Sequence, residues 1–148
     1  TGVVHIWPGI CDVHTAFRTD AIRGVRENDP QARIILHPEC PPELIRMADA
    51  SGSTSQIIAS VEASAPGTRI YVGTEINLVR RLQRRFAAEK SVLPLQSCDC
   101  PFMARITEVR LADTLEAIQM NRAEGTTVDP REAAWALEAV NRMLQACA

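Results

Sequence analysis

Four short polar segments carry the side chains best suited to chemistry in this sequence. They occupy residues 11–14 (CDVH), 37–40 (HPEC), 52–55 (GSTS) and 98–101 (CDCP), and each follows an apolar run typical of a β-strand. In open α/β sheets, ligands bind at the carboxyl ends of parallel strands. A parallel sheet would therefore bring acidic, thiol and hydroxyl groups to one edge: Cys11, His37, Glu39, Ser53, Thr74, Glu75, Cys98 and Cys100.

His37 and Glu39 could form a general acid–base pair. Pro38 lies between them and favours an extended backbone, which places both side chains on the same side. An imidazole beside a carboxylate can exchange protons with a substrate. A salt-linked turn explains the same three residues equally well, so both interpretations stay open at this point.

The cysteines indicate a metal or redox centre if their loops meet. Cys11, Cys98 and Cys100, together with His14, could hold a tetrahedral zinc ion, although a Cys-x-Cys spacing is not the usual zinc pattern. Thiolates from separate segments also suit an iron–sulfur cluster, in which incomplete ligation leaves one iron open to substrate. The residues alone do not decide between these centres, and any single cysteine could instead be a small buried apolar residue.

Two further groups of polar residues have simpler explanations. Gly52 and the hydroxyls of Ser53 and Thr54 could bind a carboxylate or phosphate at a helix N-terminus. Ordinary helix capping explains them equally well. Four arginines lie within one helix at residues 80–85, and we interpret them as its solvated side, with no assigned role.

Composition limits the classes of partner. The chain has 148 residues and a net charge of −2, which suits one compact domain and gives no electrostatic reason to expect nucleic acid or an anionic membrane. No apolar stretch is long enough to span a bilayer, so we expect a cytoplasmic protein. Five cysteines, an odd number, favour thiol or metal chemistry over a disulfide framework.

Strands alternate regularly with helices along the chain. Strands are predicted at residues 3–7, 33–36, 69–72 and 91–95, and this alternation predicts a mostly parallel sheet of about four strands. Helices are predicted at residues 19–28, after Pro41, from Ser53 or Thr54, after Glu75, and at residues 109–124 and 130–146, the last capped by Asp129.

We therefore predict a three-layer α/β/α domain at residues 1–108 and a C-terminal helical segment at residues 109–148. The chain begins at Thr1 without a methionine and enters an apolar run at once. We accordingly expect it to be a fragment of a longer protein.

Six stretches resemble the C-terminal part of the quinolinate synthase family in order and spacing. They are WPGICDVH at residues 7–14, HPECP at 37–41, AD followed by GSTSQ at 48–56, GTE at 73–75, CPFM at 100–103 and NRML at 141–144. The resemblance covers nearly the whole chain. It implies the last of three similar α/β domains, together with the terminal helices.

The resemblance implies an enzyme that condenses iminoaspartate, delivered by L-aspartate oxidase, with dihydroxyacetone phosphate to form quinolinate, the pyridine precursor of NAD. It further implies a [4Fe-4S] cluster with Cys11 as the middle ligand and Cys100 as the last. The first ligand is expected in N-terminal domains outside this chain, so the chain alone is expected to be inactive. Cys98 resembles an accessory thiol, and Cys40 is not a ligand in the family.

By the same resemblance, His37 and Glu39 would bind the substrate and move protons, with Pro38 beside them. Ser53 and Thr54 would bind a carboxylate or phosphate, and Thr74 and Glu75 would lie near that site. One departure is Ile76-Asn77, where the family usually has a glycine soon after the Thr-Glu pair. A non-catalytic metal-binding or interaction module with the same fold remains the alternative function.

Overall fold

A four-stranded, fully parallel sheet organises the first part of the chain. In the computed structural model, which describes residues 6, 8–122 and 125–147, the strands are β1 (Arg33–Leu36), β2 (Ala50–Ser51), β3 (Arg69–Gly73) and β4 (Ser91–Pro94). Their spatial order is β2-β1-β3-β4. The predicted α/β fold with a parallel sheet is confirmed.

Helices lie before, between and after these strands along the chain. They are α1 (Asp12–Thr15), α2 (Thr19–Asn28), α3 (Pro42–Met47), α4 (Thr54–Glu62), α5 (Ile76–Phe86), a 3₁₀ turn (Met103–Arg105), α6 (Glu108–Gln119) and α7 (Pro130–Cys147). None of the helices in the described part of the chain combines the length and apolar character needed to cross a membrane.

Helices cover both faces of the sheet, which gives three layers. Residues alternate between the two faces along a strand, so Ile35 packs in one apolar cluster while Ile34 and Leu36 pack in another. The first cluster includes buried residues of α4 and α5, and the second includes buried residues of α2 and α3. Burial on both faces explains why residues 34–36 of β1 are all apolar.

Most predicted elements agree with the structure. The helix at Thr19–Asn28 has the predicted bounds, Pro42 is the first residue of α3, and Asp129 accepts a hydrogen bond from the Arg131 N–H at the start of α7. The helix predicted at 109–124 instead ends at Gln119, and Asn121 follows with a φ of 51°. Glu124 and residues 3–5 and 7 of the strand predicted at 3–7 lie outside the described residues, and residue 6, which is described, has no regular secondary structure.

Three short elements were not predicted. They are α1, the two-residue strand β2 and the 3₁₀ turn at Met103–Arg105. Each is too short to show a helical or strand periodicity in sequence.

The chain divides into two compact units, Thr1–Arg105 and Ile106–Ala148. The second unit contains α6, which begins after a Thr107 cap, and α7; neither helix has a buried residue. Their apolar side chains are exposed, among them Leu115, Trp135 and Leu144. The division into domains at residues 108 and 109 stays a prediction.

Asp49 joins three elements of the first unit. Its carboxylate accepts a 2.7 Å hydrogen bond from the Ile34 N–H in β1 and a 2.8 Å hydrogen bond from Arg26 Nη2 in α2. Partial burial alone would raise the pKa of Asp49, but these two donors together hold it below its ordinary value. The same residue directly precedes β2, so it anchors that strand beside β1.

We expect Asp49→Asn to lower the free energy of unfolding by about 1 kcal/mol at pH 7, the size of a partly exposed charge-assisted hydrogen bond. Because the folded-state pKa is lowered, this contribution is fully present above the ordinary value of 3.8 and is lost as the pH falls through the folded-state value. Urea unfolding at several pH values measures it. Asp20→Asn, at an exposed ion pair with Arg23, is the control and should cost roughly 0.5 kcal/mol or less. Equal losses for both variants, or a difference that does not diminish as the pH falls below 3.8, would contradict this account.

Candidate functional site

The register of two strands places the polar loops side by side. Leu36 of β1 pairs with Gly73 of β3, so the next residues, His37 and Thr74, both leave the sheet at the same level. The His37 N–H continues the ladder with a 3.0 Å hydrogen bond to the Gly73 carbonyl. A Cβ at residue 73 would lie 2.3 Å from Leu36 Cδ2, which is buried, so this close approach requires glycine.

A cavity of about 440 Å³ opens at this edge, within the first unit. Its volume is within the range of about 300–1,000 Å³ that is common for small-molecule sites. It is lined by Cys11, Val13, His14, His37, Thr54, Thr74, Glu75, Asn77, Leu78, Arg81, Cys100 and Met103. Of the predicted site residues, His37, Thr54, Thr74, Glu75, Cys11 and Cys100 line the cavity, whereas Pro38, Glu39 and Ser53 do not.

His14 is the centre of a buried hydrogen-bond network. Its Nδ1 lies 2.8 Å from Glu39 Oε2, and its Nε2 lies 3.2 Å from Thr74 Oγ1. A carboxylate can only accept, so Nδ1 carries a proton and donates it to Glu39. In the neutral ring, Nε2 then accepts from the Thr74 hydroxyl. Both nitrogens of a buried imidazole are satisfied, and the exposed carboxylate of Glu39 is held in place.

His37 stacks on this network. The rings of His14 and His37 are nearly parallel, with centroids 4.1 Å apart and 6° between their planes. Burial and the neighbouring His14 lower the pKa of His37, although Glu39, whose Oε2 lies 3.5 Å from His37 Nδ1, acts in the opposite direction. The ring is therefore mostly neutral at pH 7, which allows it to accept a proton.

Of the four thiols in the first unit, two line the cavity and two do not. Cys11 precedes α1 and Cys100 lies in the loop after β4, and both line the cavity. Cys98 packs against the apolar core, and burial, followed by Asp99, raises its pKa. Burial raises the pKa of Cys40 to about 11, so this thiol stays protonated at neutral pH. Thiolates are the metal ligands, so the chemistry favours Cys11 and Cys100.

The loop that carries Cys100 is held against the start of α5. The Ile76 N–H, at the first residue of that helix, donates a 3.0 Å hydrogen bond to the Cys98 carbonyl. Helix N-termini leave such donors unsatisfied, so a loop carbonyl is a favourable partner. The Ala104 N–H in turn donates to the Cys100 carbonyl at 2.9 Å.

Cys11, His14 and Glu39 form a possible metal site among the described residues. One ligand atom from each lies within 4.8 Å of the others. Sulfur, nitrogen and oxygen donors of this kind suit zinc or iron. The zinc grouping considered from sequence combined Cys11, Cys98 and Cys100 with His14. The geometry keeps Cys11 and His14 together and adds Glu39 in place of Cys98 and Cys100.

Ser53 is the N-cap of α4. Its Oγ accepts a 3.4 Å hydrogen bond from the Gln56 N–H, and Gln56 Oε1 accepts a 2.8 Å hydrogen bond from the Ser53 N–H. This is a capping box. A Cβ at Gly52 would lie 2.6 Å from Gln56 Cβ, so the glycine leaves room for this side chain. Thr54, the first residue of α4, lines the cavity.

Glu75 caps α5 in a similar way. Its two carboxylate oxygens accept hydrogen bonds of 2.8 Å from the Asn77 N–H and 2.9 Å from Asn77 Nδ2. The asparagine, at the position where a glycine was expected from the resemblance, therefore binds the second oxygen of the cap. Glu75 is buried, and its carboxylate has these partners as well as a place on the cavity lining.

Two titratable cavity residues, His14 and Arg81, were not assigned to the substrate site by the sequence analysis, which named His14 only as a possible zinc ligand. His14 lies one turn after Cys11, a spacing that could have indicated a shared site. Arg81 is exposed, as the interpretation of residues 80–85 as a solvated helix side predicts, and it also lines the cavity. Its position four residues after Asn77 places both side chains on one face of α5, and this signal was available in the sequence.

Comparisons with known proteins agree on one family. The family model described as "Quinolinate synthetase A protein" matches residues 1–145. Quinolinate synthase from Listeria monocytogenes is 42% identical over 145 residues, and the match covers 96% of this chain and 39% of that protein. The Streptomyces coelicolor enzyme is 43% identical over 147 residues, and the match covers 94% of this chain and 36% of that protein. The Haloarcula marismortui enzyme is 40% identical, and the match covers 96% of this chain and 39% of that protein. The chain thus spans about two-fifths of the length of these relatives.

Proposed function

Because this chain belongs to the quinolinate synthase family, we propose that it is part of an enzyme that condenses iminoaspartate with dihydroxyacetone phosphate to quinolinate, in NAD biosynthesis. One structural observation supports this proposal in addition to the family membership. His14, His37, Thr74, Cys11 and Cys100 line one cavity at the carboxyl edge of the sheet. Acid–base groups and soft metal ligands therefore face the same small-molecule space.

The donor set fits the iron–sulfur cluster that the family resemblance implies. Cys11 and Cys100 come from different loops and line the same cavity, which is the arrangement that cysteine-bound clusters use. We propose that these two thiolates hold a [4Fe-4S] cluster, with a third cysteine supplied by residues outside this chain. When bound, the cluster would supply a Lewis acid that polarises oxygen atoms of the substrate.

We assign proton transfer to His37 and Glu39. Condensation of an imine with a carbonyl compound, followed by dehydration, needs a base that removes protons and an acid that protonates departing oxygen. His37 is mostly neutral at pH 7 and faces the cavity, so it can accept a proton. Glu39 lies 3.5 Å from His37 Nδ1, where its carboxylate can stabilise the protonated ring or relay the proton.

His14 and Thr74 act on the substrate through these two residues. The hydrogen bond from His14 Nδ1 fixes the Glu39 carboxylate, the Thr74 hydroxyl holds His14 through Nε2, and the stacked rings fix the plane of His37. A positioned acid–base pair avoids reorganisation during the reaction. We therefore propose that His14 and Thr74 are positioning residues.

Hydroxyl groups on the cavity wall would bind the anionic parts of the substrates. Thr54 lies in the first turn of α4, where unsatisfied N–H groups and the helix dipole favour a carboxylate or phosphate. Ser53 contributes through the cap that orients this turn, because its hydroxyl already accepts a hydrogen bond there. Glu75 similarly orients the start of α5.

The exposed apolar side chains of α6 and α7 support a larger assembly. Val109, Leu115, Trp135 and Leu144 are exposed. Contiguous exposed apolar surface marks interaction sites. We propose that the remainder of the full-length protein packs against them. L-Aspartate oxidase would supply iminoaspartate, and free thiols around an iron–sulfur cluster suit the reducing cytoplasm.

The full-length protein, purified without oxygen, should form quinolinate from iminoaspartate and dihydroxyacetone phosphate, and Glu39→Gln should lower turnover by roughly two orders of magnitude or more. Glu39 is in a loop and partly exposed, so the free energy of unfolding should change by no more than about 1 kcal/mol. The variant should therefore keep its melting temperature and its cluster absorbance. Glu43→Gln, at an exposed position in α3, is the matched control and should retain activity. Product is measured by chromatography.

Three results would contradict the proposal. They are no quinolinate formation by the wild-type protein under these conditions, normal turnover by Glu39→Gln, and unfolding of that variant. The 148 residues alone should form no product, since a cluster ligand is proposed to lie outside them. Quinolinate formation by this chain alone would show that no further residues are needed.

We expect Cys100→Ser in the full-length protein to lose most of its bound iron and Cys98→Ser to keep it. The reason is that Cys100 lines the cavity, whereas Cys98 packs against the core with a raised pKa. Iron is counted after anaerobic purification, with exposed Cys147→Ser as the control. Equal iron loss for Cys98→Ser and Cys100→Ser, or loss for Cys98→Ser alone, would reverse the assignment.

A further inference from the structure

Arg81 is the one lysine or arginine on the cavity wall among the residues that the structure describes. It lies on α5 one turn after Asn77, which also lines the cavity, so the two side chains share a face of the helix. The buried face of the same helix is formed by other residues, namely Ile76, Val79, Leu82 and Phe86. Packing in the core therefore does not explain the direction in which Arg81 extends.

An anionic substrate needs a positive charge in this cavity, because carboxylates lie nearby. Glu75 lines the cavity, and Glu39 Oε2 lies 2.8 Å from His14 Nδ1 and 3.5 Å from His37 Nδ1, so the acidic groups near the site include two carboxylates. A dicarboxylate or a phosphate ester entering this space would meet like charges unless a cation compensates them. Among the described lining residues, only Arg81 carries a permanent positive charge.

Arg81 has neither an ion pair nor a hydrogen bond within the described residues, whereas Arg26 pairs with Asp49 and Arg85 with Glu62. Arg80 and Arg84 on the same helix likewise have no partner among the described residues, but neither lines the cavity, so its position on the cavity lining distinguishes Arg81. Its planar guanidinium presents parallel N–H donors that match the two oxygens of a carboxylate or phosphate.

We propose that Arg81 binds an anionic group of the substrate, a carboxylate of iminoaspartate or the phosphate of dihydroxyacetone phosphate, by a bidentate ion pair in the cavity that His14 and His37 also line. The identity of the anion rests on the proposed function. The inference that an anion binds at Arg81 rests on the cavity and on a guanidinium that has no partner among the described residues. Thr54 and Asn77 supply neutral hydrogen-bonding groups on the same cavity wall.

Substitution of Arg81 in the full-length protein tests this inference. Arg81→Gln should raise the KM for one of the two substrates by roughly ten- to hundredfold, the size expected for a lost charge-assisted pair, with a smaller change in kcat. Arg81→Lys keeps the positive charge but lacks the two parallel N–H donors of the guanidinium, so it should recover part of the affinity for that substrate. Arg80→Gln is the matched control, since Arg80 is exposed on the same helix and does not line the cavity. The substrate whose KM rises identifies the bound anion.

Equilibrium binding separates this inference from the proposed function. Quinolinate and inorganic phosphate are titrated into the anaerobically purified wild-type protein and both glutamine variants by calorimetry. Weaker binding of either probe to Arg81→Gln than to Arg80→Gln supports the inference even if the wild-type protein forms no quinolinate. Unchanged KM values together with equal affinities in the two variants, or no binding of either probe to the wild-type protein, overturn it. Melting temperatures of all variants should match, because both positions are exposed.

Discussion

The parallel pairing of β1 with β3 is the constraint on which the whole site depends. Because Leu36 pairs with Gly73, the chain leaves both strands at one level, and His37 and Thr74 become neighbours although they are far apart in sequence. A slip of one residue would reverse the side-chain directions and separate them. The glycine makes this pairing possible, since any larger residue there would overlap the buried side chain of Leu36.

The histidine network converts that backbone register into a chemical arrangement. Glu39 is more than half exposed, and an exposed carboxylate would normally sample many positions. His14 restrains it with one ring nitrogen and binds Thr74 with the other, so the loop after β1 is tied to the loop after β3. The stack of His37 on His14 adds the group that can accept a proton. A buried network of this kind is stable only when each polar atom has a partner, as both His14 nitrogens do here.

The sequence predicted the regular parts of the fold and only some of the site. The apolar run at Arg33–Leu36, the prolines before α3 and the Ser53 cap act locally, so their patterns were readable. The strand Ala50–Ser51 forms because Asp49 anchors it beside β1, and this contact is invisible in a two-residue pattern. Arg81 was interpreted as solvated because an amphipathic helix has several polar directions, and only the tertiary fold shows which one faces a cavity. The roles of His37, Glu39, Cys11 and Cys100 came from the family resemblance and stay predictions.

The central claim is that this edge of the sheet contributes ligands to an iron–sulfur cluster beside an acid–base pair. Anaerobic reconstitution of the full-length protein with iron and sulfide, followed by chemical counting of both, tests it most directly. The account predicts about four iron and four sulfide per chain, the composition of a cubane cluster held by cysteines from separate segments. A protein that instead binds zinc, or iron without sulfide, would contradict it and would favour a mononuclear site at Cys11, His14 and Glu39.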